Sequence, residues 1–165
     1  MIQYFEDRNI FESTADALVN PVNTRGFMGK GLALEFSKRF PECVGPYKKA
    51  CEEGNLVIGK LVLVKGVKPL VMGSRGPAII LFPTKDHWRG KSRLEWIDAG
   101  LQDLKTRFRR WKLESVGMPP IGCGLGGLEW DKVRSLIERQ FANESLRIEV
   151  CLRNHPAPAS LSNRI

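Results

Sequence analysis

The sequence predicts a single α/β domain, and three observations carry that prediction. Apolar runs of strand character alternate with segments whose apolar residues recur every three or four positions. The 165 residues suit one domain with a full hydrophobic core. Glycine-rich loops follow two of the apolar runs, and an α/β fold gathers its functional loops at the carboxyl ends of its strands.

The elements follow in order. IQYF (2–5) reads as a short strand, and ALVNPVN (17–23) as a buried strand whose end opens into a loop. Leu32, Phe36 and Phe40 keep helical spacing until Pro41 stops that helix. A second helix passes through Tyr47 and Cys51 and ends near Gly54. LVLVKG (61–66) and AIILFPT (78–84) are the clearest strands, joined as an extended hairpin across a Gly- and Pro-containing segment. Leu94, Ile97, Leu101, Leu104, Phe108 and Trp111 predict one long helix over 93–111, its apolar stripe serving core packing. SVGMPPIG (115–122) supplies a strand and the start of a glycine loop. Val133, Leu136, Ile137 and Phe141 mark the next helix, and LRIEVCL (146–152) a last strand. The folded domain is read as residues 1–153. The Pro-, Ala- and Ser-containing stretch 154–165 reads as a flexible tail or a linker to a further domain.

Composition narrows the function classes. No run is long enough to span a bilayer, and the acidic, polar start MIQYFEDRN is no secretory signal. The four cysteines lack CxxC spacing and there are two histidines, so neither a metal nor a cofactor is expected. Free thiols suit a reducing, cytoplasmic setting. The formal charge of +8 is concentrated in KTRFRRWK (105–112) and KDHWRGKSR (85–93). Such a surface attracts polyanions, or serves as a solvated helix face. In the second stretch Trp88 interleaves the charges, so His87, Trp88, Arg89, Lys91 and Arg93 are candidate nucleic-acid contacts, with Trp88 stacking on a base.

Two loops carry the chemistry. In PPIGCGLGGLEW (119–130), glycines leave backbone N–H groups bare, and such a loop can wrap a diphosphate. Gly122, Gly124 and Gly127 match GxGxxG, yet too little chain follows for a dinucleotide-binding unit. The plain alternative is a tight strand-to-helix turn. In ALVNPVNTRGFMGKGLALEF (17–36), Asn20 and Asn23 precede another glycine-rich turn, and amides suit the vicinal hydroxyls of a ribose or the bracing of a turn. Of the pair, Asn20 reads as the brace and Asn23 as the ligand contact. Together the loops point to a nucleoside-diphosphate-sugar.

DALVNPVNTRGFMGKGLA, the strand ending FPTK, and MPPIGCGLGGLEW together resemble the macrodomain family of ADP-ribose-binding modules, over nearly the whole chain. MGKGLA, TK and PPIGCGLGGLEW resemble in particular the branch that holds the terminal ADP-ribose-protein glycohydrolases and the DarG-type DNA ADP-ribosyl glycohydrolase antitoxins. The resemblance implies a three-layer α/β/α fold with a central mixed sheet and ADP-ribose in a cleft. It implies adenine contacts from Asn9, where most of the family has aspartate, and from the Ile10 backbone. Asn20, Val22 and Asn23 would line the ribose loop, with Met28, Gly29, Lys30 and Gly31 closing around the distal ribose. Thr84 would stand beside Lys85, the lysine this branch uses in catalysis. Ile121, Gly122, Cys123, Gly124, Leu125, Gly126 and Gly127 would cradle the diphosphate. Protein-directed members of the branch carry aspartate where this chain has Gly126, whereas DarG-type members have glycine.

The reading is a glycohydrolase that removes ADP-ribose from thymidine in DNA, an antitoxin to a DNA-modifying toxin. Its partners would be ADP-ribose, ADP-ribosylated single-stranded DNA and the cognate toxin, and the protein would be a monomer. Lys85 would attack the anomeric carbon or stabilise the departing base, and Asp86 and His87 are candidates for activating water. The rival readings are a binding module without catalysis, a hydrolase of ADP-ribose on acidic protein side chains, and a phosphatase of ADP-ribose phosphate.

Overall fold

A computed structural model describes residues 1–153 apart from Val71 and Ser74; the tail expected at 154–165 lies outside the described residues. Twelve elements run along the chain: β1 (Ile2–Phe5), a 3-10 turn (Ile10–Glu12), β2 (Ala17–Asn23), α1 (Gly31–Arg39), a second 3-10 turn (Pro41–Cys43), α2 (Val44–Glu52), β3 (Val62–Val64), β4 (Ala78–Lys85), α3 (Leu94–Arg107), β5 (Ser115–Met118), α4 (Trp130–Phe141) and β6 (Arg147–Cys151). The six strands form one sheet in the order β1-β6-β5-β2-β4-β3. Every neighbouring pair is parallel except β3 against β4. The sheet is therefore mixed, as expected, and β3–β4 is the hairpin pair.

Apolar cores on both faces make the three layers. Ala17 and Val19 of β2, with Ile80 and Phe82 of β4, pack with Ile97, Leu101 and Leu104 of α3 and Val133, Ile137 and Phe141 of α4. The alternate residues Leu18 and Val22, with Ile79 and Leu81, face Phe36, Phe40, Tyr47 and Ala50 from the α1–α2 side. Strands covered on both faces read as continuous apolar runs, which is why AIILF lacks polar alternation. Each fully buried Leu, Ile or Phe contributes about 1.5–3 kcal/mol. Gly100 lets α3 approach the sheet: a Cβ there would lie 2.3 Å from the Phe82 ring.

One expected helix boundary shifts. The long helix ends at Arg107 rather than 111, although its apolar rhythm continues. Phe108 stays buried and Trp111 packs against the same core, while Lys112 turns left-handed at φ 56° and the Leu113 N–H donates to the Phe108 carbonyl. The strand in SVGMPPIG stops at Met118, because Pro119 and Pro120 have no N–H to pair. The 3-10 turn at Ile10–Glu12 was not expected. Asn9 starts it, its Oδ1 accepting the Phe11 N–H at 2.9 Å.

The chain leaves β2 across one face to reach β4, then returns across the other through α3 to β5 on the far side of β2. Connections that diverge on opposite faces open a crevice at the strand carboxyl ends, where α/β folds bind ligands.

Candidate functional site

A cleft of about 910 Å³ occupies that crevice. Asn9 and Ile10 stand in its lining, as do Val22 and Asn23 at the end of β2. Gly29, Lys30 and Gly31 follow from the β2–α1 loop, and Thr84 and Lys85 from the end of β4. Gly122, Gly124, Leu125 and Gly126 form the opposite rim, while Trp88, Arg89 and Lys91 enter from the β4–α3 loop. Four segments remote in sequence thus meet in one place.

Other expected site residues stand outside the lining. Met28 and Ile121 are buried behind the loops they support. Burial pushes the Cys123 thiol up to about 12, which suits packing rather than reactivity. Gly127, at φ 78°, turns the loop back toward α4 and packs against the Lys91 stem. His87 and Arg93 line a smaller neighbouring cavity instead.

The glycine loop is built for an anion. It is tied by the Cys123 N–H to the Pro120 carbonyl, the Gly127 N–H to the Gly124 carbonyl and the Leu128 N–H to the Gly122 carbonyl, at 3.0–3.1 Å. Among the described residues, the N–H groups of Gly124, Leu125 and Gly126 have no acceptor. Facing them is the first turn of α1, where Gly31, Leu32 and Ala33 line the cleft and the helix leaves its own N–H groups unpaired. Among the described residues, five cations (Lys30, Lys85, Arg89, Lys91, Arg153) and one carboxylate (Glu35) line the cleft, so its field favours a polyanion. Arg153 is itself paired with Glu12 at 2.7 Å.

Gly126 admits no side chain. A Cβ there would lie 2.4 Å from both the Gly122 carbonyl oxygen and Ser92 Oγ. The Ser92 N–H donates to the Gly126 carbonyl at 3.0 Å, so the β4–α3 loop and the glycine loop are locked together at this point.

Lys85 ends β4 beside a bulge. Val22 pairs with Pro83 but Asn23 pairs with Lys85, so Thr84 is the unpaired extra residue. A bulge bends its strand and re-aims the side chain that follows. The Thr24 N–H donates to the Lys85 carbonyl at 3.1 Å, and Thr24 Oγ1 donates to the Asp86 carbonyl at 2.8 Å. Burial lowers the Lys85 pKa below lysine's usual value, and the charges of Lys91 and Lys30 lower it further.

Asn23 takes the bracing role expected of Asn20 and also lines the cleft. Its Nδ2 donates to the Phe27 carbonyl at 2.7 Å, and its Oδ1 accepts the Arg25 N–H and the Tyr47 hydroxyl at 2.9 Å each. The loop 24–27 folds back over position 23, which the linear spacing does not reveal. Asn20 is wholly buried within β2, outside the cleft lining, and its amide makes no hydrogen bond to the described residues.

Neither expected water-activating group faces Lys85. The Asp86 carboxylate accepts from Thr24 Oγ1 at 2.9 Å and pairs with Arg25 at 3.4 Å. His87 Nδ1 accepts the Arg89 N–H at 3.1 Å, and its ring stacks on Trp88. Both side chains hold their loops in shape. Sequence reasoning missed Phe27, Glu35, Cys151 and Arg153 in the lining. Cys151 ends β6, so the carboxyl-end rule that found the other loops points there as well.

Comparison with known proteins agrees with this arrangement. The family described as Macro domain matches residues 19–137. A Mycobacterium tuberculosis protein named DNA ADP-ribosyl glycohydrolase is 44% identical over 134 residues, 81% of this chain and 37% of that protein. The chain spans only about a third of the length of such curated relatives. Among solved structures, the macrodomain of Thermus aquaticus DarG superposes with a TM-score of 0.81 at 39% identity, covering 92% of this chain and 97% of that one. Thermosipho africanus DarTG in complex with ADP-ribose superposes with a TM-score of 0.85 at 31% identity, covering 93% of this chain and 42% of that one. With its mixed sheet, converging loops and cation-lined crevice, this chain belongs to the macro domain family.

Proposed function

We propose that this domain is a glycohydrolase that releases ADP-ribose from thymidine bases in DNA, acting as antitoxin to a DNA ADP-ribosyltransferase. The observation that carries the reading is Lys85, held at the cleft by the bulge and by Thr24, with its amine made easier to deprotonate by burial and by two neighbouring lysines. The names of the DarG relatives point the same way.

In this reading the bare N–H groups of 124–126 and the start of α1 hold the diphosphate. Asn9 and the Ile10 backbone meet the adenine, and Asn23 meets the distal ribose through its second Nδ2 proton. Met28, Ile121, Cys123 and Gly127 act from behind by shaping the loops. The anomeric carbon then comes to rest near Lys85. The neutral amine donates its lone pair to that carbon as the bond to the base breaks, and the bond's electron pair leaves on the base. The proton that the attacking Nζ sheds passes to the departing base. Water then adds to the anomeric carbon, leaving its hydroxyl there and its other proton on the lysine, which departs as a neutral amine. Lowering a lysine's pKa with neighbouring cations is a known way to make it nucleophilic at neutral pH. Positioning a reacting pair can supply roughly 7–11 kcal/mol of the barrier.

Gly126 favours DNA over protein substrates. A carboxylate that resolves a lysine adduct has no room there, since even a Cβ collides with backbone. The exposed basic residues Arg89, Lys91 and Arg93 suit phosphates flanking a modified base. The domain is read as residues 1–153, monomeric and cytoplasmic with all four cysteines free. Among the described residues, no helix is long and apolar enough to cross a membrane.

The test compares release of ADP-ribose from modified single-stranded DNA and from a glutamate-modified protein. Release from DNA alone is expected. Lys85→Ala should lower that release by about 100-fold or more while ADP-ribose affinity stays within a few fold. Binding of ADP-ribose with no release from either substrate would leave a binding module.

A further inference from the structure

Beside the main cleft lies a second cavity of about 300 Å³, lined by Asp86, His87, Gly90, Lys91, Arg93 and Trp96. It has room for roughly ten water molecules. Gly90 and Lys91 line both cavities, so the loop 86–91 is the ridge between them. Trp88 and Arg89 face the main cleft from this ridge, and His87 faces the smaller cavity.

The ridge is aromatic. The His87 and Trp88 rings stack at 3.9 Å, and Phe27, from the opposite loop, meets Trp88 edge-on at 5.4 Å. Phe27 is 53% exposed and Trp88 42%, large apolar surfaces left in water at the mouth of a charged cleft. Below the ridge, the Arg93 guanidinium lies over the Trp96 ring at 5.1 Å.

The smaller cavity is also cationic. Among the described residues, neither Lys91 nor Arg93 has an acidic partner. Among the described residues its lining holds one carboxylate, Asp86, which is already offset by Arg25 and Thr24. Unpaired cations beside aromatic faces are the composition that binds a single nucleic-acid strand.

We propose that this cavity is a second subsite, resting on the DNA reading above, and that it takes the nucleotide next to the modified one. The strand crosses the ridge with a base against the Trp88–Phe27 pair, and its next phosphate sits between Lys91 and Arg93. The ridge thus couples two sites: ADP-ribose on one side, the continuing strand on the other. Recognition extends past the ADP-ribosyl group without any reading of sequence.

Binding to the Lys85→Ala protein, which holds substrate without turnover, tests this. The probes are free ADP-ribose, ADP-ribosylated thymidine without flanking phosphates, and an ADP-ribosylated single-stranded oligonucleotide. The oligonucleotide should bind at least about 10-fold more tightly than the modified nucleoside. Adding Arg93→Glu should remove that gain and leave free ADP-ribose affinity within two-fold. Arg93→Lys should keep most of the gain, and Trp88→Ala should cut it by about 5-fold or more. Equal binding of nucleoside and oligonucleotide overturns the subsite, as does an Arg93→Glu loss that is the same for all three probes. An unmodified acidic polypeptide that competes better than unmodified DNA would reassign the cavity to a protein partner. A length-dependent gain with no release by the wild-type protein sinks the glycohydrolase reading and leaves the subsite standing.

Discussion

Lys85 is a cation kept among cations. Its folded-state pKa lies below the unfolded value of 10.5, first through burial and then through Lys91 and Lys30. A lysine with a depressed pKa opposes folding while it is charged. That penalty is complete below the folded pKa and fades as pH rises from there toward 10.5, where the unfolded chain also loses its proton. Lys85→Gln should therefore melt at or above the wild-type temperature at pH 7 and lose that advantage near pH 10. The gain is small because the side chain is partly solvated: about 1 kcal/mol at most, or some 2–4 °C in a domain of this size. A melting temperature that falls on substitution would mean the lysine is held by a stabilising partner. Activity carries the same sign. Attack by the neutral amine predicts a rate that climbs with pH and levels off below 10.5, and Lys91→Gln should move that rise to higher pH by restoring a more ordinary lysine. A rate that declines over the same range would assign Lys85 the role of a charged stabiliser of the leaving base.

At the scale of elements, the β4–α3 loop and the glycine loop act as one unit joined at Ser92 and Gly126. Gly126→Ala forces them apart, because the contact atoms include the backbone oxygen of Gly122 rather than a flexible side-chain end. Stability should fall by about 1–3 kcal/mol. ADP-ribose affinity should fall about 10-fold or more, because the three bare N–H groups lose their shared curvature. Calorimetry on both proteins reads the two effects, and unchanged affinity would show that the cradle tolerates opening. Gly126→Asp carries the same cost, so it should not create a protein-directed hydrolase. The glycine loop and the strand framework were legible in the sequence because each has a local signature: bare glycines after a strand, and apolar runs covered on both faces. Lys85 came only through the family resemblance, since a strand-end lysine is ordinarily a solvated one. The bracing by Asn23 was not legible, because it depends on where the loop 24–27 folds back and on Tyr47, which lies 24 residues away. The bulge at Thr84 arises from the register between β2 and β4, a property of two strands together. The early end of α3 was hidden because Phe108 and Trp111 still reach the core from a turn, so the apolar rhythm outlasts the helix.

For the molecule as a whole, the question is whether net charge or local charge meets the DNA. The two basic stretches of the sequence occupy opposite ends of α3. The ridge 86–93 precedes its first turn at the cleft, and 105–112 covers its last turn and the turn beyond it. Eleven helical residues, 94–104, separate them, about 17 Å. The distant stretch is also partly neutralised: Lys105 and Arg109 pair with Glu144, and Arg107 pairs with Asp103. Reversing its Arg110 and Lys112 to glutamate removes four charges from the formal +8. If overall charge recruits DNA, that double variant should bind modified oligonucleotide several-fold more weakly. A local interface predicts a change of less than two-fold, and that is the outcome expected here. The salt dependence of binding separates the cases further. Contacts from Arg89, Lys91 and Arg93 correspond to a slope near −2 in log affinity against log salt for a single strand, or roughly a 20-fold loss between 50 and 200 mM. Substituting any one of the three should flatten the slope by about 0.7, whereas the Arg110→Glu, Lys112→Glu protein should keep it. A slope that follows net charge, whichever end of α3 is altered, would remove the ridge as the place where this domain meets DNA.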